Sequence, residues 1–187
     1  MTHAATQLRS RNDDLKALIR TIPDYPIPGI QFRDVSTLLL DGPGFRATID
    51  RLAAMIDPAQ VDLIAGIEAR GFIVAAALSY ALTKGKVMLR KKSKLPGATV
   101  GIDYALEYGT DRIEMHLGAV KPGQRVLLVD DLLATGGTAL AGATLLRGQG
   151  AVVDKAMFIV DLPDLGGAAR LRAAGIAPIT LLVFGGH

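Results

Sequence analysis

Along the chain, short apolar runs alternate with longer segments whose apolar residues recur at helical spacing. Leu15, Leu18, Ile19 and Ile22 follow that spacing, which predicts an N-terminal helix. Pro23, Pro26, Pro28 and Gly29 then impose an irregular stretch. Asp41-Gly42-Pro43 is a helix-start signal. Behind it Phe45, Ile49, Leu52, Ala53 and Ile56 share one face, and Pro58 marks the stop. The run "DLIAGI" (62–67) reads as a strand buried on both sides. After "EARG", an Ala-rich helix is predicted over about 72–82, then a strand at "KVMLRK". Further strands are predicted at 125–129, 152–160 and 178–184. Strands alternating with helices predict an α/β fold, a doubly wound, mostly parallel central sheet with flanking helices.

One region breaks the rhythm. In "DYALEYGTDRIEMH" (103–116), Tyr104, Leu106 and Tyr108 fall in alternation. Ile113, Met115 and Leu117 do the same beyond Gly109-Thr110-Asp111. This is the pattern of a β-hairpin, expected to project from the sheet. Lys121-Pro122-Gly123-Gln124 places Pro and Gly for a type II turn into the next strand.

Composition narrows the class. With 187 residues, 50% hydrophobic and 21% charged, the chain is expected to form a single globular domain, 1–187. A net charge of +3 is too small to argue for a nucleic-acid partner. Without cysteine there is neither a disulfide nor a thiol nucleophile. The first residues lack the apolar core of a secretion signal, and the stretch 72–82 is too short to span a bilayer. A soluble, cytoplasmic protein with no membrane partner is expected.

Chemistry concentrates in "VLLVDDLLATGGTAL" (126–140), where a buried strand runs into Asp130 and Asp131 and then into small residues opening a helix. In an open parallel sheet, ligands bind beyond the carboxyl ends of the strands. Two carboxylates there can accept from adjacent sugar hydroxyls. Ala134, Thr135, Gly136, Gly137 and Thr138 offer close backbone N–H groups, hydroxyls and a helix N-terminus to a phosphate. A bare Asp-Asp would be explained as a helix cap; the whole string suits a phosphorylated sugar. The loop lacks the Gly-Lys-Ser/Thr of a Walker loop and the Gly-x-Gly-x-x-Gly of a dinucleotide site.

"VLLVDDLLATGGT" resembles the phosphoribosyl pyrophosphate motif of the type I phosphoribosyltransferases. "YPIPGIQFRDVSTLL", "GIEARGF", "RKKSKLPG" and "YALEYGTDRIEMH" follow in the order and spacing of that family's adenine phosphoribosyltransferases, so the likeness spans nearly the full chain. The resemblance implies purine salvage: adenine and phosphoribosyl pyrophosphate would give AMP and pyrophosphate. It implies Mg²⁺ bound mainly through the substrate, with no dedicated protein metal site, and a homodimer. Residues 1–34 would form an N-terminal helix and purine-binding loop, a hood, and 92–118 a flexible catalytic hairpin.

Residue roles follow from the same likeness. "GIEARGF" offers glycine, a helix start and the forked donor Arg70, and so a second anion site on its own terms. By resemblance it is the pyrophosphate loop, with Glu68 and Ala69 joined by a cis peptide and Arg70 near the leaving group. The basic run reads alone as a nucleic-acid patch or a solvated strand end. By resemblance Arg90, Lys91 and Lys94 attract pyrophosphate, with Arg90 able to act across a dimer interface. Ser93 stands where many relatives have glycine, which would stiffen the loop. Glu107 matches the catalytic carboxylate, and Tyr108 helps close the loop. Phe32 would stack on adenine, backbone groups near Gln31 and Arg33 would read its edge, and Leu162 would lie on its other side. Asp161 departs from the glutamate of relatives there. Two alternatives stay open: a type I transferase for guanine, hypoxanthine or xanthine, and a non-catalytic phosphoribosyl-pyrophosphate-binding regulator. Such regulators usually carry a DNA-binding module, for which residues 1–28 are too few.

Overall fold

The computed structural model describes residues 12–105 and 109–186. A short helix α1 (Asp13–Lys16) leads into β1 (Arg20–Pro23), which pairs antiparallel with β2 (Gln31–Asp34). Helices α2 (Ser36–Leu40) and α3 (Gly42–Ala53) follow. The sheet proper comprises β3 (Leu63–Ile67), β4 (Gly85–Lys91), β5 (Thr99–Ala105), β6 (Thr110–His116), β7 (Val126–Leu133), β8 (Lys155–Asp161) and β9 (Ala177–Val183). Helix α4 (Gly71–Leu82) joins β3 to β4, α5 (Gly137–Gly148) joins β7 to β8, and α6 (Gly167–Ala173) joins β8 to β9.

Strand order is β5-β6-β4-β3-β7-β8-β9. The five strands from β4 to β9 pair in parallel, and β5-β6 is an antiparallel hairpin. The hairpin meets the parallel sheet only at Arg90↔Glu114 and Lys91↔Ile113, so most of it extends away from that edge. Strand β5 runs to Ala105, and Thr110 and Asp111, expected between the strands, already belong to β6. The order of strand addition reverses at β3: β4 is laid down on one side and β7 on the other. The crevice between the carboxyl ends of β3 and β7 is therefore the topological switch point, where open α/β sheets bind ligands.

Each face of the sheet buries its own core. One gathers Ala65, Leu89, Met115, Leu128 and Phe158 under α5 and α6. The other gathers Ile64, Leu127, Val129 and Ile159 under α3, α4 and the N-terminal segment. That division is why β3, β7 and β8 read as continuous apolar runs. The α3 start is as predicted: Asp41 Oδ1 accepts from Gly44 N at 2.7 Å, with Pro in the first turn. The type II turn before β7 also holds, with Gly123 at φ +82° and Gln124 N donating to Lys121 O.

Two readings need correction. The helical spacing of Leu15 to Ile22 does not make one helix. Leu15 and Ile19 are buried, but the helix ends at Lys16 and Ile22 lies in β1 opposite Phe32. Strand β7 does not end at Val129 either. It runs through both aspartates to Leu133, because β8 keeps pairing with it there after pairing with β3 has stopped at Val129.

Candidate functional site

That one-sided pairing shapes the site. From Asp130 onward β7 is held only by β8, and its β3 side opens into the crevice. Asp131 is buried, and its Oδ2 accepts from Arg70 Nε at 2.5 Å. Asp130 Oδ1 accepts from the Asp131 backbone N–H at 2.9 Å. Burial, reinforced by the charge of Asp131, pushes the Asp130 carboxyl well above the usual carboxylate range. At the start of α4, Gly71 leaves room for this carboxyl: a Cβ there would lie 2.7 Å from Asp130 Oδ1.

Beyond the acids, residues 134–136 turn the chain into α5. Gly136 takes φ +78°, and no side chain caps the helix. The first-turn N–H groups of Gly137, Thr138 and Ala139 are thus left without an intrahelical acceptor. Asp130, Leu132 to Ala139 and Phe158 line a small pocket of about 100 Å³ there. A pocket so placed suits one phosphate group. The loop rests on α6: Gly167 N donates to Ala134 O at 3.1 Å, and a Cβ on Gly136 would press on Gly167 at 3.2 Å.

The second loop carries the expected cis peptide between Glu68 and Ala69. Glu68 turns its carboxylate away from the acid pair. It receives Arg90 Nε at 3.2 Å, Arg90 Nη2 at 3.1 Å and the Lys91 N–H at 3.0 Å. Arg90 also donates to Lys94 O at 2.9 Å, so it is engaged within its own chain. Hydrogen bonding from Arg90 holds the Glu68 carboxyl below its ordinary range. Lys91 Nζ pairs with Asp111 at 3.3 Å, and Asp111 in turn accepts from Tyr104 Oη at 3.3 Å. Ser93 adopts φ +62°, its N–H donating to Glu114 at 3.0 Å.

On the N-terminal side Phe32 is half-buried and meets Tyr25 edge-on, ring centroids 5.2 Å apart. Gln31 sits opposite Pro23 in the small sheet. The Arg33 side chain turns to the C-terminus, donating to Thr21 Oγ1 and to the carbonyls of Gly185 and Gly186. Leu162, half-buried, donates its N–H to Leu133 O at 3.0 Å. Asp161 is buried, Oδ1 has no hydrogen-bond partner among the described residues, and burial raises its carboxyl. Glu107 and Tyr108 lie outside the described residues.

The structure thus joins Arg70, Asp130 and Asp131 in one cluster and Glu68, Arg90, Lys91 and Lys94 in another. Sequence reading missed Gly71 and Gly167 as supports, although the Gly166-Gly167 pair was a visible signal of close backbone approach. It also missed Asp164, which accepts from Gly186 N 22 residues on, and Phe184 and the C-terminal glycines, which meet Arg33 more than a hundred residues away.

Comparison with known proteins gives a concordant result. Residues 36–164 match the model of the phosphoribosyl transferase domain. The adenine phosphoribosyltransferase of Sphingopyxis alaskensis is 58% identical over 173 residues, 92% of this chain and 94% of that protein. The crystal structure of adenine phosphoribosyltransferase from Thermoanaerobacter pseudethanolicus superposes with a TM-score of 0.87 at 45% identity, covering 92% of this chain and 99% of that one. The Saccharomyces cerevisiae enzyme, crystallised with adenine and an imino-altritol bisphosphate, gives 0.86 at 33% identity, with 92% and 99% covered. The chain belongs to the phosphoribosyl transferase family, among its adenine phosphoribosyltransferases.

Proposed function

We propose that the protein transfers the 5-phosphoribosyl group from phosphoribosyl pyrophosphate to adenine, giving AMP and pyrophosphate in purine salvage. The observation that carries this reading is the acid pair Asp130 and Asp131 standing directly before an uncapped helix N-terminus at the sheet's switch point. The pair accepts from the ribose hydroxyls, and Ala134, Thr135, Gly136, Gly137 and Thr138 receive the 5′-phosphate. Arg70 fixes Asp131 and faces the leaving group. Glu68, Ala69, Arg90, Lys91 and Lys94 form the pyrophosphate side, with Arg90 and Lys91 changing partners when the anion arrives.

In the reaction the bond from the sugar's C1 to oxygen breaks, and pyrophosphate leaves with the electron pair. Positive charge develops on the sugar, and the carboxylates below it stabilise that charge. A ring nitrogen of adenine then bonds to C1 and gives up its proton, which Glu107 accepts. Tyr108 screens the site from water. Phe32 and Leu162 hold the base between them, and backbone groups of Gln31 and Arg33 read its edge.

The sugar donor arrives as its magnesium complex. Among the described residues no cluster of three or more His, Cys, Asp or Glu could hold a metal, and Asp131 is committed to Arg70. An ion carried mainly by substrate oxygens and water fits that donor set. Mg²⁺, when bound, would supply charge neutralisation of the leaving pyrophosphate.

The outward side of α4 supports a homodimer. This helix is apolar on every side, and Ile73 and Tyr80 are exposed, as is Met88 of β4. An apolar face of this kind is what a second copy would cover. No helix among the described residues is long and apolar enough to cross a membrane.

A panel of purine bases with the sugar donor and Mg²⁺, followed by pyrophosphate release, tests the reading. Adenine should give the highest kcat/KM. A better rate with guanine, hypoxanthine or xanthine would reassign the base. Glu107→Gln should lose most turnover, and full retention would remove its role.

A further inference from the structure

We propose that Arg33 is a positioning residue, which grips the C-terminal segment 184–186 and thereby fixes the purine loop against the turn at 162–164. The inference rests on the adenine-binding role proposed above for Phe32, Arg33 and Leu162. The C-terminal segment is held from two sides. From the N-terminal side, Arg33 Nη2 donates to Gly185 O and Gly186 O, both at 3.3 Å, and its guanidinium lies 4.9 Å from the Phe184 ring centroid. Lys16 takes the same ring at 4.7 Å and donates to Val183 O at 2.7 Å. Phe184 is thus buried between contacts to two cations. From the sheet side, Asp164 Oδ2 accepts from Gly186 N at 2.8 Å.

These contacts form a continuous clasp. Arg33 belongs to β2, which carries Gln31 and Phe32, while Asp164 is two residues from Leu162. The turn that bears Asp164 is itself bonded to the site strand, since Leu162 N donates to Leu133 O and Gly167 N to Ala134 O. The two walls assigned to the base are therefore linked through residues 184–186. Arg33 suits the task because its planar fork sends Nη1 to Thr21 Oγ1 and Nη2 to the two carbonyls, which a lysine ammonium on a shorter reach does not match.

Asp164 is exposed, so its variants test the clasp without disturbing the core. Asp164→Ala should raise KM for adenine about three- to tenfold, the worth of one lost hydrogen bond. The Kd for phosphoribosyl pyrophosphate, measured by calorimetry, should not change. Asp164→Asn keeps an acceptor for Gly186 N and should restore the adenine KM. Arg33→Lys should behave like Asp164→Ala. An unchanged adenine KM in Asp164→Ala, equal weakening of both substrates, or failure of Asp164→Asn to restore KM would each overturn the clasp. Failure of the wild-type protein to use adenine would instead overturn the base assignment, and the same comparison would then be made with the purine it does use.

Discussion

Arg70 and Asp131 meet through one hydrogen bond, Nε to Oδ2 at 2.5 Å, between a half-exposed guanidinium and a carboxylate whose side chain is 8% exposed. The bond spans 61 residues and ties the start of α4 to β7 across the crevice. Its two ends therefore set the geometry of the acid pair before any substrate arrives.

Removing the cation leaves a buried carboxylate without its partner. Arg70→Ala should cost about 1–3 kcal/mol of stability in urea unfolding. Asp131→Asn removes the charge that Arg70 balances, so the double variant should lose less than the sum of the two. A coupling of about 1–3 kcal/mol is expected from the cycle. Strict additivity would mean that the contact does not organise the site. Arg70→Lys should recover only part of the loss, because an ammonium cannot reproduce the Nε geometry.

Asp130 is held in the opposite sense. Burial, with the charge of Asp131 beside it, raises its carboxyl well above the usual range. Between the ordinary value and the raised one, the native chain keeps a proton that the unfolded chain has released. Stability therefore falls as pH rises through that window, and the penalty persists above it. Asp130→Asn should stabilise the unliganded protein by on the order of 1 kcal/mol at about pH 8 and by nothing at about pH 3. The same change should weaken binding of the sugar donor, since a charge-assisted acceptor for a hydroxyl is lost. Thermal melts at both pH values and a donor titration check the two halves separately. A variant that is stabilised equally at both pH values would contradict the titration argument.

Ser93 stores a smaller strain. It holds φ +62°, a left-handed conformation that costs a residue with a Cβ about 1–2 kcal/mol. Ser93→Gly removes that cost and adds some unfolded-state entropy. A net gain of about 0.5–1 kcal/mol is expected from the denaturant midpoint. The hydrogen bond to Glu114 comes from the backbone N–H and survives the change. A loss of stability on Ser93→Gly would show that the hydroxyl makes a contact worth more than the strain.

How much of this was legible depends on how local each feature is. "VLLVDDLLATGGT" carries its own strand, acids, turn and helix start, so one window held the phosphate side of the site. The hairpin around Gly109 was readable for the same reason, whereas the cis bond in "GIEARGF" was expected only from the family resemblance. Periodicity failed for Ile22, because a three- to four-residue recurrence over eight positions also fits a short helix followed by a strand. The engagement of Arg90 with Glu68 was hidden by their separation of 22 residues, and that of Arg33 with Gly186 by 153. Such partners are set by strand order, and the order around β3 follows from packing, not from any local signal.

The outward face of α4 leads to a prediction about assembly. Tyr80 is 90% exposed and Ile73 46%, on a helix with no polar side. Tyr80→Asp combined with Ile73→Asp should convert a dimer to monomers in sedimentation velocity. The fold should survive, because Val74, Ala75 and Leu78 carry the core contacts of α4 and are untouched. A wild-type monomer, or a variant that remains dimeric, would show that this face is not the interface.

The sharpest test of the phosphate nest lies outside it, at Gly167. A Cβ there would collide with Ala134 O and lie 3.0 Å from Gly136 N, both backbone atoms of the turn into α5. Backbone cannot rotate away as a side-chain tip can, so Gly167→Ala must displace the loop or the start of α6. The N–H groups of Gly137 and Thr138 would then no longer converge on one phosphate. Affinity for the sugar donor should fall at least about tenfold, or about 1.4 kcal/mol. The neighbouring Gly166→Ala provides the contrast. Gly166 has φ +74°, yet its Cβ would meet nothing within 4 Å. That change should cost about 1 kcal/mol of stability through backbone strain and leave donor affinity alone. The two variants differ by one position and by nothing in added chemistry. If both weakened the donor equally, the effect would be general loosening of α6 and the buttress would be dismissed. If Gly167→Ala alone does so, the 5′-phosphate is held by a loop whose shape α6 dictates.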